Sequence, residues 1–207
     1  MNEKLSDLNL VFSTPIWGSL VDDYKNLNEK MLQYIKNIKE KNPHGLNKSN
    51  ILGWHSPDFN LEDEECKYFI KAISPKIQKV MNDMGWDTKK NNIKLTNMWS
   101  IINNKSASNS RHIHSNSYIS AAYYVTASKN CGDIFFYDPR AANVIRIPEI
   151  KESTKLNMQQ VNITPQEGLL VMFPSYLHHS VGANNSDEER IVISFNIDLQ
   201  YLQKSSN

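Results

Sequence analysis

At 207 residues, with 40% hydrophobic and 10% aromatic side chains, the chain has the material for one sizeable core, and its length favours a single domain. A formal net charge of +1, from 23 Lys and Arg against 22 Asp and Glu, lacks the basic excess that a nucleic-acid partner needs. Two cysteines, Cys66 and Cys131, make no disulfide framework, and no run approaches the roughly 18 apolar residues of a membrane span. These features together predict a soluble, cytoplasmic protein.

Leu8 to Val21 alternates apolar and polar residues around Pro15, which predicts an edge strand broken near the proline. Leu27, Met31, Leu32, Ile35 and Ile38 recur at helical spacing and give an amphipathic helix that ends before Asn42-Pro43-His44-Gly45. Gly45 to Asn60 reads as loop. A second helix follows, with the acidic run Glu62 to Glu65 at its start and Phe69, Ile73, Ile77, Val80 and Met84 as its buried stripe. Pro75 predicts a kink or break within it, and Gly85 its end.

From about residue 92 the period shortens. Strands are expected at Ile93–Thr96, Met98–Ile102, Tyr118–Thr126, Asp133–Tyr137, Val144–Ile147, Met158–Ile163, Leu169–Phe173 and Ile191–Leu199, separated by Gly-, Pro- and Asn-bearing turns. Many short strands at close spacing indicate a sandwich or barrel. The expectation is one domain over 1–207, with a helical part over 1–91 and a jelly-roll core over 92–207.

The chemistry concentrates at Arg111-His112-Ile113-His114, where two of six histidines stand two residues apart at what reads as the beginning of a strand. In an extended chain, side chains at i and i+2 share a face, so two imidazoles converge on one point. A third ligand is available from His178 or His179, and Arg190 opens the next apolar run. Imidazole ligates iron, zinc, copper and nickel, and arginine grips a carboxylate through two parallel hydrogen bonds. A metal beside such an arginine suits a bidentate 2-oxo acid. Metal binding needs neutral imidazoles, so affinity is expected to fall as pH drops through about 6.5.

Each feature has a plain structural explanation as well. His-X-His arises by chance, and one of two adjacent histidines is often buried and the other exposed. Arg190 paired with Glu188 or Glu189 at the surface would contribute roughly 0–1 kcal/mol. Asp138-Pro139-Arg140 reads as a turn, Tyr123 and Tyr124 as core and surface positions of one strand, and Trp54-His55 as loop packing. Order and spacing decide between the two.

Those features occur in a fixed succession. Pro15-Ile16-Trp17 and Gly53-Trp54-His55-Ser56 precede His112-Ile113-His114. Ser120-Ala121-Ala122-Tyr123-Tyr124-Val125 and Cys131-Gly132-Asp133-Ile134-Phe135-Phe136-Tyr137-Asp138-Pro139-Arg140 come next. The last block runs from Glu167-Gly168 through Phe173-Pro174-Ser175-Tyr176-Leu177-His178-His179-Ser180-Val181 to Arg190-Ile191 and Ser194-Phe195-Asn196. This succession resembles the 2-oxoglutarate/Fe(II)-dependent oxygenases over nearly the whole chain, most specifically in the final block.

The resemblance implies an α+β, mainly β fold: a double-stranded β-helix (a cupin-like jelly roll) with the N-terminal helices packed outside. It implies Fe(II) held by His112, His114 and His179, and 2-oxoglutarate held by Arg190, with Ser194 on the same strand face as Arg190, Val192 and Asn196. His179 is preferred to His178 because the family's histidine precedes X-Val, here Ser180-Val181. Asn103, Tyr124, Trp99 and Trp54 are expected around the cofactor and pocket wall, with the loops Gly45–Asn60 and Ala141–Lys155 bordering the mouth.

The sequence departs from the family pattern in four places. Ala121 replaces a glycine, Ser115 a proline and Val192 a small polar residue, while His114 occupies the acidic ligand position. Either three histidines form the centre, or Asp133 or Asp138 replaces one of them. The function expected is oxidation of an organic substrate by dioxygen, with 2-oxoglutarate as cosubstrate. Partners are dioxygen and a small-molecule or peptide substrate, with a homodimer allowed. The alternatives are a three-histidine cupin-type dioxygenase that does not use 2-oxoglutarate and a metal-free jelly-roll binding module.

Overall fold

The structure is a computed structural model that describes residues 11–140 and 148–202. Strand β1 (Trp17–Leu20) leads into helix α1 (Tyr24–Lys41), the two-residue strands β2 (Asn50–Ile51) and β3 (Trp54–His55), and helix α2 (Glu64–Asp83). The β-core follows as β4 (Asn91–Asn103), β5 (Ser108–His112), β6 (Ile119–Thr126), β7 (Ile134–Tyr137), β8 (Gln160–Ile163), β9 (Leu169–Pro174), β10 (His179–Val181) and β11 (Arg190–Tyr201). The expected strand at Val144–Ile147 and the start of the N-terminal strand, Leu8 and Leu10, lie outside the described residues. Among the described residues no helix is long and apolar enough to cross a membrane.

The strands form a six-stranded sheet, β1-β9-β6-β11-β4-β3, and a five-stranded sheet, β2-β5-β10-β7-β8. Every recorded pairing is antiparallel. This is the jelly-roll arrangement expected. Alternation along the central strands separates two buried faces. Ala121, Tyr123, Met172, Ile193 and Phe195 join Leu27, Met31, Ile35, Phe69, Ile73 and Val80 of the helices in one apolar cluster. Ala122, Tyr124, Val171, Phe173 and Val192 face the second sheet, against Ile134 and Phe136. Tyr123 and Tyr124 are therefore both buried, because the sheet is covered on both sides. The core-and-surface reading of that pair is corrected.

Helix α1 is tied to the sheet by a buried polar link. The Tyr123 hydroxyl donates to Asn28 Oδ1 at 2.6 Å, and Asn28 Nδ2 donates to the Val125 carbonyl at 2.8 Å. Helix α2 runs unbroken through Pro75, so of the expected kink or break the break does not occur. Proline there removes one bond to the carbonyl of Lys71, and both residues lie on the exposed side, where water takes the donor's place. Gly85 ends the helix at φ +66°, with the Trp86 amide donating to the Met81 carbonyl at 3.0 Å. Besides the two-residue strands β2 and β3 inside the stretch read as loop, two strands arise where no apolar run marks them: β5 reads Ser-Asn-Ser-Arg-His, and β10 has three residues. Strands β5 and β10 lie in the smaller sheet, and both carry the site.

Candidate metal centre

His112 is the last residue of β5 and His179 the first of β10, and the pairing of these strands sets the two directly opposite each other. The His-X-His stretch thus closes a strand instead of opening one. His114 lies beyond the strand end, fixed by its own amide donating to the Ser175 carbonyl at 3.0 Å. One ligand-capable nitrogen from each of the three rings lies within 4.8 Å of the others. The Nε2 atoms of His114 and His179 stand 3.3 Å apart, and their rings are nearly parallel at 7°.

Backbone carbonyls orient two of the rings. His112 Nδ1 lies 2.8 Å from the Ser110 carbonyl and His179 Nδ1 lies 3.0 Å from the Leu177 carbonyl. A carbonyl only accepts, so each Nδ1 carries the proton and each Nε2 presents a lone pair. This is the usual support of a metal-bound imidazole. Phe173 packs on His179 at 4.6 Å between ring centroids, and Trp99 stacks on His114 at 5.6 Å. Burial keeps the imidazoles neutral: it pushes His114 down to about 4 and His179 to about 3, and also lowers His112, with neighbouring histidines adding to the effect on His114 and His179. Protonation is thereby displaced well below the ordinary 6.5.

The triad opens into a cavity of about 760 Å³, within the range of small-molecule sites. Arg190, Val192, Ser194 and Asn196 of β11 all line it, as their shared face implies. Arg190 is 1% exposed. It makes no surface pair with Glu188 or Glu189. Its Nη1 donates to the carbonyls of Cys131, Gly132 and Gly182, the last two at 2.9 and 3.2 Å. The close approach needs Gly132, whose φ is +91° and where a Cβ would sit 2.7 Å from Nη1. The opposite edge of the fork is left free. Nε and Nη2 are buried with no hydrogen-bond partner among the described residues. A buried cation with two parallel donors unmatched fits a carboxylate.

The other predicted site residues separate into two groups. Tyr124, Trp99 and Ser194 line the cavity, as does the loop from Leu46 to Asp58. Asn103 is outside the lining: it is buried beneath Gly53 and donates through Nδ2 to Asn109 Oδ1 at 3.1 Å, bracing a lining residue from behind. Trp54 is also outside, because its indole donates to the Asn42 carbonyl at 2.8 Å and its ring belongs to the helix-side core. His178 is exposed while His179 is buried. Asp133 accepts from Asn162 and Asp138 pairs with Arg140 at 2.7 Å, and neither joins the histidine cluster.

One lining residue was read only as packing. His55 stacks on Trp99 at 5.8 Å and donates Nδ1–H to the Ser56 carbonyl at 2.7 Å. Its place in Gly53-Trp54-His55-Ser56 was the available signal.

Residues 97–196 match a family whose description is "Putative 2OG-Fe(II) oxygenase". No curated protein sequence matches. Among solved structures, a Pseudomonas putida prolyl-4-hydroxylase superposes with a TM-score of 0.62 at 11% identity, over 90% of this chain and 93% of that one. The epimerase SnoN, solved with Fe3+, alpha-ketoglutarate and nogalamycin RO, gives 0.64 at 13% identity over 92% and 82%. HygX from Streptomyces hygroscopicus, solved with nickel, 2-oxoglutarate and hygromycin B, gives 0.61 at 9% over 89% and 83%. At such identities these structures speak for the fold alone. The three imidazoles suit iron and the free edge of Arg190 suits a carboxylate, so the residues present fit the cofactors that define the matched family. Over residues 97–196 the chain is similar to the 2OG-Fe(II) oxygenases, a family of enzymes that work with iron and 2-oxoglutarate, and its three-histidine cluster fits that likeness.

Proposed function

We propose that this chain, acting as one domain, oxidises an organic substrate with dioxygen, and that His112, His114 and His179 hold Fe(II) while Arg190 anchors 2-oxoglutarate. The single observation that carries the reading is the buried Arg190 fork with Nε and Nη2 unpartnered, lining the same cavity as the triad. Bound there, iron and 2-oxoglutarate supply the oxidising chemistry, in which dioxygen converts the 2-oxo acid to succinate and carbon dioxide and the substrate is oxygenated.

The chain's own residues bind, orient and exclude water. The carbonyls of Ser110 and Leu177 hold the His112 and His179 rings so that Nε2 faces inward. Arg190 offers two donors to the distal carboxylate. Tyr124, from the neighbouring strand, stands near Arg190, and Ser194 lines the same cavity further along Arg190's own strand. Phe173, Val192 and Ala122 keep the inner end apolar, which strengthens every charge interaction there. Three neutral ligands leave the charge of a divalent metal uncompensated, and Arg190 adds one more positive charge. The centre therefore favours a dianion, which is the ionised form of 2-oxoglutarate near neutral pH.

The test is dioxygen-dependent conversion of 2-oxoglutarate to succinate by the purified protein with Fe(II). Slow turnover in the wild type and none in His179→Ala is the expected result. Succinate formation that His179→Ala leaves intact would refute it. The all-histidine donor set also favours a second reading, a three-histidine dioxygenase that works without 2-oxoglutarate. That reading requires metal-dependent oxygen chemistry indifferent to Arg190.

A further inference from the structure

A second depression, of about 670 Å³, runs along the outside of the metal centre. It shares Ile113, His114 and Ser115 with the cavity that holds the triad. The two are neighbouring compartments on either side of one metal-ligand segment. We propose that this groove binds an extended polypeptide segment of the substrate, with the residue to be oxidised reaching past Ile113 into the metal cavity. The inference rests on the oxygenase reading above and names its substrate class.

Four observations point to a peptide. First, the groove presents aromatic platforms: Tyr118 and Tyr176 are 52% and 56% exposed, and Trp86 sits edge-on to Tyr118 at 5.6 Å. Exposed rings grouped around a depression mark a contact surface. Second, uncharged polar side chains stand beside them. Ser115, Asn116 and Ser117 line the groove, and no hydrogen bond from their side chains to the described residues is recorded. Rings for apolar side chains, with hydroxyls and amides for backbone N–H and C=O, form the mixture that serves peptide recognition.

Third, charge is neutralised. The acidic side chain in the lining, Asp83, is held by Lys79 at 2.7 Å and by the Trp17 indole at 3.0 Å. Among the described residues the lining includes no Lys or Arg, so it does not supply the cations that would hold a phosphate or a nucleic acid. Fourth, the two compartments, about 760 and 670 Å³, together offer more room than 2-oxoglutarate and one free amino acid fill. The groove is also mechanically joined to the centre. The Ser175 carbonyl that receives the His114 amide at 3.0 Å belongs to the turn carrying Tyr176, and the Ser175 amide donates to the Tyr118 carbonyl at 3.1 Å.

The test uses protein loaded with Ni(II) and 2-oxoglutarate, so that no turnover occurs, and a random phage-displayed library of peptides of about 12 residues. Uncharged sequences rich in proline, aliphatic or aromatic residues are expected to be enriched. Their affinity should fall at least about tenfold in Tyr118→Ala/Tyr176→Ala and stay unchanged in Tyr201→Ala, a control at an exposed tyrosine elsewhere. Affinity for 2-oxoglutarate, measured separately, should be equal in all three proteins. No enrichment over an unrelated protein, or peptides that bind the double variant as tightly as wild type, would overturn the proposal. Failure of the wild type to bind 2-oxoglutarate would instead strike the oxygenase reading and leave the peptide result to stand by itself.

Discussion

Replacing Arg190 with lysine keeps the positive charge and one donor group but removes the fork. In the structure the fork is divided: Nη1 is engaged by three backbone carbonyls, while Nε and Nη2 have no acceptor among the described residues. Lysine can serve the carbonyls or the ligand, and it cannot form two parallel bonds to a carboxylate. The loss is therefore about one charge-assisted hydrogen bond, or about 1.5–3 kcal/mol. That corresponds to a 2-oxoglutarate Kd raised by about 10–150-fold.

Arg190→Met removes the charge as well. Truncating one side of a buried charge pair costs about 2–5 kcal/mol, so the Kd should rise by at least about 30-fold. Its folding stability reflects two opposed effects, since three carbonyls lose a donor while a buried cation without a counter-ion disappears. A melting temperature therefore accompanies each titration, to show that the variant is folded. The assay is anaerobic calorimetric titration of 2-oxoglutarate into the metal-loaded protein, with metal affinity determined in parallel. Metal affinity should stay within a few-fold of wild type. If either folded variant bound 2-oxoglutarate like the wild type, the role given to the free edge would be refuted.

The remaining predictions concern the surroundings of that fork and the triad. Gly132→Ala places a Cβ 2.7 Å from Arg190 Nη1 at a φ of +91°; it should cost about 1–3 kcal/mol in denaturant unfolding and weaken 2-oxoglutarate binding with metal affinity spared. His179→Ala should lose metal on desalting while His178→Ala, exposed and outside the cluster, retains it, as read by metal analysis. In the metal-free protein the folded histidines titrate low, His114 at about 4 and His179 at about 3. The unfolded chain takes up those protons from about 6.5 downward, so stability should be full above that pH and decline as pH falls toward 4; a midpoint of urea unfolding that is flat from pH 7 to about 4.5 would contradict this. For the same reason metal affinity should hold through pH 6.5, lower than free imidazoles would allow. Tyr123→Phe removes the donor to Asn28 Oδ1 and should cost about 1–2 kcal/mol of stability without changing 2-oxoglutarate binding.

The parts of the fold written in apolar periodicity were legible from the sequence. The stripe Leu27, Met31, Ile35 predicted α1, and the runs at Tyr118–Thr126 and Ile191–Leu199 predicted the central strands β6 and β11. The strands that carry the histidines were not. Ser-Asn-Ser-Arg-His has no apolar alternation, and it becomes a strand only because β2 and β10 supply its hydrogen-bond partners. Such tertiary override leaves no local trace. The same limit explains Tyr123 and Tyr124, whose double burial depends on helices packing a face that the sequence leaves unassigned.

At the candidate site, residue type and order brought forward His112, His114, Arg190 and one of His178 and His179. The choice of His179 came from the family resemblance, and the fold gathers these four side chains around one cavity. Asn103 and Trp54 were misplaced because spacing sets the face a residue occupies and not what lies in front of it. Asn103 shares its strand face with Trp99 and Ile101 yet stands behind Asn109. His55 became a site residue only when β3 paired with β4 and brought its ring onto Trp99.

The central claim is that one cavity holds a metal on three histidines and a 2-oxo acid on Arg190. Its most direct test is anaerobic addition of Fe(II) and then 2-oxoglutarate to the metal-free protein, followed by visible spectroscopy. A weak charge-transfer band, which arises only when the 2-oxo acid chelates the iron, should grow with 2-oxoglutarate and should be absent in His179→Ala and shifted to much higher concentration in Arg190→Met. Iron that binds tightly yet gives no band at any 2-oxoglutarate concentration would contradict the claim and leave the three-histidine dioxygenase in its place.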